Sequence, residues 1–244
     1  MQIDQHQAEI EQNLQFWQRK PLLQEIYAGF YRRIVQLIDP AISGQVLEIG
    51  SGIGNLKTHF NRAICSDLFP NPWLDLVCDG YELPFEQGAL SHLVLFDVFH
   101  HLQSPGAFLK EARRALAPMG RLIIFDPYVS LASFPVYGLL HHEPVGWREP
   151  IDRGKVSPRP RGYYAAQGNA TRVFFRDGDS GLTDQWRVLH REAFACFSYL
   201  LSGGYSKPAL YPRQFVPALR AVDRQLSRWP RFFGGRCLVA LSPA

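Results

Sequence analysis

The sequence of 244 residues has few cysteines, and none stands in a pattern that forms a disulfide framework or a zinc site. The four lie within or beside apolar segments and form no C-x-x-C pair: Cys65, Cys78, Cys196 and Cys237. Such thiols are typical of buried free cysteines in a reducing compartment. The pattern therefore argues against a secreted, disulfide-stabilised domain.

Long apolar runs and targeting segments are also missing. No run of 18 apolar residues occurs, and the first residues lack the pattern of a signal peptide. There is no internal repeat or low-complexity tract. We therefore expect a cytoplasmic protein without a transmembrane segment, which leaves peripheral membrane contact open. At this length, a single α/β domain with a sizeable core is the default.

A glycine-rich motif, VLEIGSGIGN at residues 46–55, is the most informative feature that is present. The apolar run followed by alternate glycines predicts a buried parallel strand that turns tightly before a helix. Glycine allows positive φ and lets a ligand approach the backbone closely. The spacing differs from the G-x-G-x-x-G of NAD-binding proteins and lacks the Gly-Lys-Ser/Thr of a P-loop. A purely structural turn is the alternative interpretation.

Four further apolar segments follow, and each is closed by a carboxylate: Asp67, Asp79, Asp97 and Asp126. The carboxyl ends of parallel strands meet at one edge of a sheet, where open α/β folds bind their ligands. The spacing therefore predicts one ligand-binding edge lined by acids. For any single aspartate, a turn or a helix cap is the alternative.

With these motifs in this order, the sequence resembles class I S-adenosylmethionine-dependent methyltransferases, and most closely the group typified by quinone and small-molecule methyltransferases. The resemblance covers residues 45–128 and rests on VLEIGSGIG, CDGYELPFEQGALSHLVLFDVFHHL and FLKEARRALAPMGRLIIFDP. It implies S-adenosyl-L-methionine as the cofactor. It also implies an α/β Rossmann-like fold with a mostly parallel seven-stranded sheet, helices on both faces and an antiparallel last strand.

The resemblance implies a set of cofactor-binding residues. Those around the methionine portion are Glu48, Gly50, Ser51, Gly52, Gly54 and Asp97. Asp67 would accept hydrogen bonds from the ribose hydroxyls, with Leu68 beside the adenine. Asp79, followed by Gly80, would accept from the adenine amino group. Ionised carboxylates only accept hydrogen bonds, which suits a diol and an amine.

One departure from the family pattern concerns the second and third strands. Residues 69–73, FPNPW, cannot form the regular helix that usually connects these strands. Asp75 then competes with Asp79 as the polar partner of the cofactor.

Histidines are the candidate bases, although methyl transfer needs a base only if the acceptor must lose a proton. His100 and His101 follow the fourth strand, and His101 matches a histidine often found there in the family. A structural role in the next turn is the alternative for His101. His141 and His142, beside Glu143, are a second source of a base. Adjacent histidines point different ways on most backbones and no H-E-x-x-H spacing exists, so we expect no metal site.

The chain is predicted to form one domain with four parts. These are an N-terminal helical lid at 1–43, a cofactor-binding core at 44–128, a variable substrate-side insertion at 129–185 and the C-terminal part of the sheet at 186–244. A packing role is the alternative for the lid. Helices are predicted within residues 5–38, and a crossover helix is predicted at 105–116, stopped by residues 118–120. A sixth strand is predicted at 186–190, followed by a helix with one buried apolar stripe at 215–229. The last strand, at 236–241, is predicted to be antiparallel and to lie on the sheet edge.

Charge is unevenly distributed. Residues 1–128 carry 10 Lys and Arg against 14 Asp and Glu, whereas residues 129–244 carry 16 against 8. An ordinary solvated surface is one interpretation, and an anionic ligand facing the second half is the other. Arginine dominates the excess, which favours bidentate recognition of phosphate or carboxylate. We expect Arg148, Arg153, Arg159 and Arg161 to lie near the mouth of the pocket.

These observations predict a methyltransferase acting on a small-molecule, glycan or lipid-linked acceptor, with an anionic acceptor as one option. One alternative is methylation of RNA or protein through the basic half, and another is a cofactor-binding protein without catalysis. Residues 97–100, DVFH, lack the N-P-P-Y-like motif that grips a flipped base, which argues against methylation of a base amine. The sequence identifies neither the acceptor nor its reacting atom.

Overall fold

A computed structural model of the chain describes residues 2–140, 143–152, 164–176 and 181–244. Its centre is one seven-stranded sheet with the strand order β3-β2-β1-β4-β5-β7-β6. The strands are β1 Gln45–Ile49, β2 Ala63–Asp67, β3 Leu76–Val77, β4 Leu90–Phe96, β5 Leu116–Pro127, β6 Trp186–Ala195 and β7 Gly234–Pro243. The predicted Rossmann-like class I methyltransferase fold is confirmed.

The helices lie around this sheet: α1 Gln2–Arg19, α2 Pro21–Val35, α3 Pro105–Ala115, α4 Asn169–Thr171, α5 Phe197–Leu200, α6 Val216–Leu226 and α7 Pro230–Phe233. Pro21 occupies the first turn of α2, where its missing N–H costs no helical hydrogen bond. Within the residues that the structure describes, none of these helices has both the length and the hydropathy that crossing a bilayer requires.

Successive side chains along the central strands point to opposite faces of the sheet, so the apolar core is divided between the two faces. Val94 and Phe96 of β4 pack with Phe30 and the rest of the apolar stripe of α2. Leu93 and Leu95 pack instead with the helix α3 on the opposite face. Both faces are therefore covered, which is why β4 is apolar over most of its length.

The parallel part of the sheet runs from β3 to β5, and β7 is antiparallel to both β5 and β6. The prediction that the last strand lies on the sheet edge is wrong, because β7 lies between β5 and β6. Nearly all of β7 is buried, whereas Arg187 and Arg191 of β6 are exposed. Charged side chains on a strand suit an edge position, so β6 is the edge strand.

Two boundaries also differ from the prediction. Residues 118–120 were expected to separate the crossover helix from the fifth strand, but they lie inside β5. There they form an irregularity, since Leu90 pairs with Leu116 whereas His92 pairs with Arg121. The sixth strand begins at Trp186 as predicted but continues to Ala195. Between β2 and β3 the described chain forms turns and no regular helix, as predicted.

The buried apolar stripe predicted for residues 215–229 is wrong. The helix exists, but Phe215, Val222 and Trp229 are 50%, 46% and 54% exposed. The inward face carries Asp223 instead, whose carboxylate accepts the backbone N–H groups of Phe197 (2.7 Å) and residue 198 (3.1 Å). A polar contact with the start of α5 thus sets the rotation of α6, and apolar periodicity alone does not predict it.

Candidate active site

The glycine loop after β1 has a backbone that only glycine adopts easily. Gly50, Gly52 and Gly54 have φ values of 67°, 52° and 70°. A Cβ on Gly50 would lie 2.3 Å from Cγ2 of Val98, and one on Gly54 would lie 3.1 Å from the carbonyl oxygen of Trp73. Positive φ therefore favours glycine at all three positions, and lack of space favours it further at Gly50 and Gly54.

Ser51 holds the loop against the neighbouring strand. Its N–H donates to the carbonyl of Ser66 (2.9 Å), and its Oγ accepts from the N–H of the same residue (3.0 Å). Glu48 lies below the loop with 1% of its surface exposed, and this burial raises the pKa of its carboxyl to about 8. The loop thus stands over a buried acid that is protonated at neutral pH in this structure.

Asp67 ends β2 beside the glycine loop. Its carboxylate accepts the N–H of Gly52 (3.1 Å), which places it against the segment expected to contact the cofactor. Asn71, which the sequence analysis did not single out, donates from Nδ2 to the carbonyl of Gly52 (3.1 Å). Its position in the irregular segment at residues 69–73 is the only sequence feature that pointed to it. The ribose role of Asp67 stays a prediction.

The residues predicted for the adenine end lie in less enclosed positions. Leu68 is 53% exposed beside Asp67. Asp79 accepts the N–H of Tyr81 through Oδ1 (2.9 Å), so it closes a turn, which was the alternative interpretation. A Cβ on Gly80 would lie 3.6 Å from the ring of Phe108, an ordinary contact distance.

Asp75, the competing candidate for the polar contact with the cofactor, is engaged by two neighbours in the structure, and its predicted competition with Asp79 stays a prediction. Its Oδ2 accepts the backbone N–H of Cys65 (2.8 Å), and its Oδ1 pairs with Lys57. These contacts and the Lys57 hydrogen bond lower the pKa of Asp75, so its carboxylate secures the edge of β2.

Asp97 follows β4 in a left-handed conformation, with φ of 57°. It forms an ion pair with Arg236, whose side chain is only 3% exposed. The Arg236 guanidinium packs over the ring of Tyr199, with its central carbon 4.6 Å from the ring centroid. Sequence analysis treated Arg236 only as the first residue of the predicted last strand. An arginine in an otherwise apolar strand was the available indication of a buried charge.

Aromatic residues of the N-terminal helices cover this edge of the sheet. Tyr27 of α2 packs edge-on against Tyr205 at 5.4 Å, and Trp17 of α1 stacks on the same ring at 6.3 Å. Ile10 of α1 lies 3.7 Å from the point where a Cβ on Gly52 would stand. The contacts support the predicted lid, which stays a prediction.

His100 and His101 lie together after β4, with ring centroids 4.0 Å apart. Nδ1 of His100 lies 3.0 Å from Oδ1 of Asp126, and its Nε2 lies 3.5 Å from Oε2 of Glu143. Nδ1 of His101 lies 3.0 Å from the carbonyl oxygen of Tyr164, and its Nε2 lies 3.6 Å from Oε1 of Glu143. The second pair of histidines, at residues 141 and 142, lies outside the described residues.

The two histidines differ in protonation. Burial alone would lower the pKa of His100, but Asp126 and Glu143 outweigh it and raise the pKa to about 10. Burial and the neighbouring His100 lower the pKa of His101 to about 4. At neutral pH in this structure, His100 therefore keeps its proton, whereas His101 is neutral.

The described arginines of the insertion support its own structure. Arg172 donates to the carbonyls of Gly146 (3.2 Å) and Glu149 (2.7 Å). The Arg176 guanidinium lies 4.5 Å from the ring centroid of Trp147. Of the four arginines predicted near the pocket mouth, Arg148 is exposed, and those at positions 153, 159 and 161 lie outside the described residues.

Comparison with known proteins gives a family match over the cofactor-binding part. Residues 47–124 match the model of a family described as "Methyltransferase domain". A search of curated proteins found no match.

Solved structures match over nearly the whole chain. One is a Haloferax volcanii chain that is described as a methyltransferase and lies in complex with the Trm112 methyltransferase activator. It is 16% identical to this chain with a TM-score of 0.56, and the match covers 98% of this chain and 96% of that one. A Thermotoga maritima S-adenosylmethionine-dependent methyltransferase is 12% identical with a TM-score of 0.56, covering 97% and 99%. Geranyl diphosphate C-methyltransferase from Streptomyces coelicolor, with Mg2+, geranyl diphosphate and S-adenosyl-L-homocysteine, is 11% identical with a TM-score of 0.50, covering 89% and 79%. At sequence identities this low, the structural similarity establishes the shared fold and nothing more.

Proposed function

We propose that this chain, a class I S-adenosylmethionine-dependent methyltransferase, methylates a small-molecule or lipid-linked acceptor. Its cofactor is S-adenosyl-L-methionine. A glycan acceptor belongs to the same proposal, because it too would enter the site as a small polar group.

The enclosure of the site is the observation that carries the proposal. Glu48 and Asp67 are buried, and the side chain of Asp97 is only 28% exposed. The aromatic residues of α1 and α2 cover one side, and the backbone of Tyr164 contacts His101 on the other. Ligand sites that enclose their ligand favour small acceptors over the broad, exposed surface that a macromolecule needs.

The chain would contribute mainly positioning. The sulfonium of the cofactor is already an activated electrophile, so holding the acceptor in line with it supplies much of the acceleration. The ion pair of Asp97 and Arg236 fixes the floor of the site. His101 is the residue that would accept a proton if the acceptor has one to lose.

An exposed face on α6 and α7 favours a lipid-linked acceptor within this class. Its apolar residues are about half exposed: Phe215, Val222, Trp229 and Phe232. Arg224 of α6, Arg231 of α7 and Arg228 in the turn between them are exposed, and none of the three pairs with a carboxylate among the described residues. Aromatic side chains mixed with arginines are typical of helices that lie in the surface of an anionic membrane.

This face adjoins the site. The N–H groups of Leu131 and Ala132, which follow β5, donate to the carbonyls of Arg231 (3.3 Å) and Phe232 (2.9 Å). A few residues further on, Arg236 reaches Asp97. An acceptor anchored in the membrane would therefore reach the carboxyl edge of the sheet without leaving the lipid surface. The geranyl diphosphate in the Streptomyces coelicolor structure has the same combination of an apolar chain and a charged group.

The acceptor class is tested by incubating the enzyme with labelled S-adenosylmethionine and fractionated cell extract. We expect label in the small-molecule or lipid fraction, in an amount that falls when Asp67→Ala replaces the wild type. Label confined to the RNA or protein fraction would contradict the proposal. An enzyme that binds the cofactor but labels no fraction would leave the non-catalytic alternative.

Membrane contact is tested separately by sedimentation with vesicles of phosphatidylglycerol or phosphatidylcholine. We expect binding to the anionic vesicles only, reduced by Trp229→Ser with Phe232→Ser. Val188→Ser with Leu189→Ser is the matched control, because these residues are similarly exposed (48% and 42%) on β6. Equal loss in both double variants, or no vesicle binding, would contradict the membrane face. A partner protein would then be the competing occupant, since the Haloferax volcanii structure contains an activator protein.

A further inference from the structure

We propose that His100, His101 and Glu143 form a site for a divalent transition-metal cation such as Zn2+. One ligand atom from each residue lies within 4.8 Å of the others. Our sequence analysis expected no metal, and it considered adjacent histidines only at residues 141 and 142. In the structure it is His100 and His101 whose rings converge, because the short helical turn Phe99–His101 places both toward Glu143.

The two distances between histidine and carboxylate are close to those between ligands of one ion. Nε2 of His100 lies 3.5 Å and Nε2 of His101 3.6 Å from the two carboxylate oxygens of Glu143. Both separations are too long for good hydrogen bonds. Metal–ligand bonds of about 2.0–2.2 Å place the ligand atoms of a tetrahedral site roughly 3.4 Å apart. A small cation would therefore fit with minor movement of the side chains.

The other nitrogen of each ring is held as in known metal sites. Nδ1 of His100 faces the carboxylate of Asp126, and Nδ1 of His101 faces the carbonyl oxygen of Tyr164, each at 3.0 Å. Metal-ligating histidines usually donate their second N–H to such an oxygen, which fixes the tautomer and directs the Nε2 lone pair to the metal. Gln167 donates to Glu143 and orients the third ligand in the same way.

An ion pair between His100 and Glu143 is the competing explanation. It accounts for one histidine, but it does not explain why His101 presents its Nε2 to the other carboxylate oxygen. Two further observations favour a cation. Asp126 and Glu143 are both buried, and Oδ2 of Asp126 has no hydrogen-bond partner among the residues that the structure describes. Buried negative charge of this kind is stabilised by a nearby cation. Without metal the protonated His100 supplies that positive charge, and a metal ion would take its place with release of the proton on Nε2.

The site has an open side. The side chain of His101 is 32% exposed, whereas those of His100 and Glu143 are 4% and 7% exposed. Three protein ligands leave at least one coordination position for another molecule, as in catalytic metal sites. Because Asp97 lies only a few residues before His100, an oxygen of the acceptor is the ligand that this position would take. With the metal bound, His101 would be a ligand instead of the base, and the ion would lower the pKa of that oxygen. This last step, unlike metal binding itself, rests on the proposed function.

The test is calorimetric titration of chelator-treated protein with Zn2+, without cofactor or acceptor, together with the absorption spectrum of the Co2+ form. We expect about one ion per chain and the visible bands of a low-symmetry Co2+ site. Glu143→Gln and His101→Ala should each weaken binding by about 10²-fold or more. His190→Ala is the matched control and should bind normally, because its Nε2 lies 3.4 Å from a single carboxylate, that of Glu192.

Circular dichroism and binding of S-adenosylhomocysteine would verify that each variant is folded. No Zn2+ or Co2+ binding by the wild type would overturn the proposal. So would wild-type binding in both Glu143→Gln and His101→Ala, or an equal loss in His190→Ala. Because S-adenosylhomocysteine binding is measured on the same samples, failure of the metal site is distinguishable from failure of the proposed function.

Discussion

The cofactor side and the acceptor side of the site are built from contacts of very different sequence separation. On the cofactor side, Asp67 contacts Gly52, only 15 residues away. On the side proposed to face the acceptor, His101 contacts Tyr164 across 63 residues. Asp97, predicted to lie beneath the methionine portion of the cofactor, contacts Arg236 across 139 residues. The contact of Asp67 is thus contained in one βαβ-like segment, whereas the other two are made only when the whole sheet has formed. Substitutions on the two sides should therefore have different consequences.

Loss of the buried ion pair should have the largest effect. Arg236→Met leaves the Asp97 carboxylate without its partner, and breaking such a pair costs about 3–5 kcal/mol of unfolding free energy. Denaturant unfolding measures this cost. Arg228→Met, at an exposed position in the turn after α6, is the control and should change stability by less than about 0.5 kcal/mol. Equal effects of the two substitutions would show that the fold does not depend on the pair.

Gly50→Ala should be the most damaging single change in the cofactor loop. The new Cβ would require a left-handed backbone and would lie 2.3 Å from Val98. Strain of this kind costs about 1–3 kcal/mol, and displacement of the loop should reduce cofactor affinity as well. Gly138→Ala is the matched control, because its Cβ would meet neighbours at ordinary distances of 3.5 Å or more. Calorimetry with S-adenosylhomocysteine compares the two, and unchanged affinity in Gly50→Ala would contradict the role of the loop.

Asp67→Ala should weaken cofactor binding by about 1–3 kcal/mol, because it removes charge-assisted hydrogen bonds to the ribose. Asp75→Ala is the comparison, since this aspartate lies beside the same strand but contacts Lys57 and Cys65. We expect the second variant to lose stability without a matching loss of affinity. If the two variants lose cofactor affinity equally, the predicted contact between Asp67 and the ribose is wrong.

The protonation of the Glu48 carboxyl should make the free energy of unfolding depend on pH. Its pKa is raised from an ordinary 4.5 to about 8 by burial, so the unfolded chain loses this proton first. The contribution of the protonated carboxyl is fully present below about pH 4.5 and is lost as the pH rises through about 8. Thermal unfolding should therefore show wild-type stability declining across this range. In Glu48→Gln the decline should be smaller, and an identical pH profile in both proteins would contradict the shifted pKa.

The sequence was sufficient for the local parts of the fold and insufficient for the distant ones. Alternate glycines with positive φ predict the loop, and Pro21 predicts the start of α2, because both depend on the conformation of a few residues. The position of β7 inside the sheet depends on the competition between two strands for an edge. The rotation of α6 depends on Asp223 capping α5, a contact that apolar periodicity does not contain.

The candidate site divides in the same way. Asp67, Asp79 and Asp97 were singled out because strand ends converge in any parallel sheet, whereas Glu48 was implied only by the family resemblance. Arg236, Glu143 and Tyr164 were not connected to the site, because only the folded chain brings them to His100 and Asp97. A residue's type indicates what it can bind, but its partner across 40 or more residues is set by topology.

The most direct test of the difference between the two sides is the cofactor affinity of His101→Ala, measured by calorimetry. If His101 serves the acceptor side, affinity should equal that of the wild type, while turnover on the identified acceptor falls by about 10²-fold or more. An affinity loss as large as that of Asp67→Ala would contradict the account, because it would make His101 part of the cofactor side.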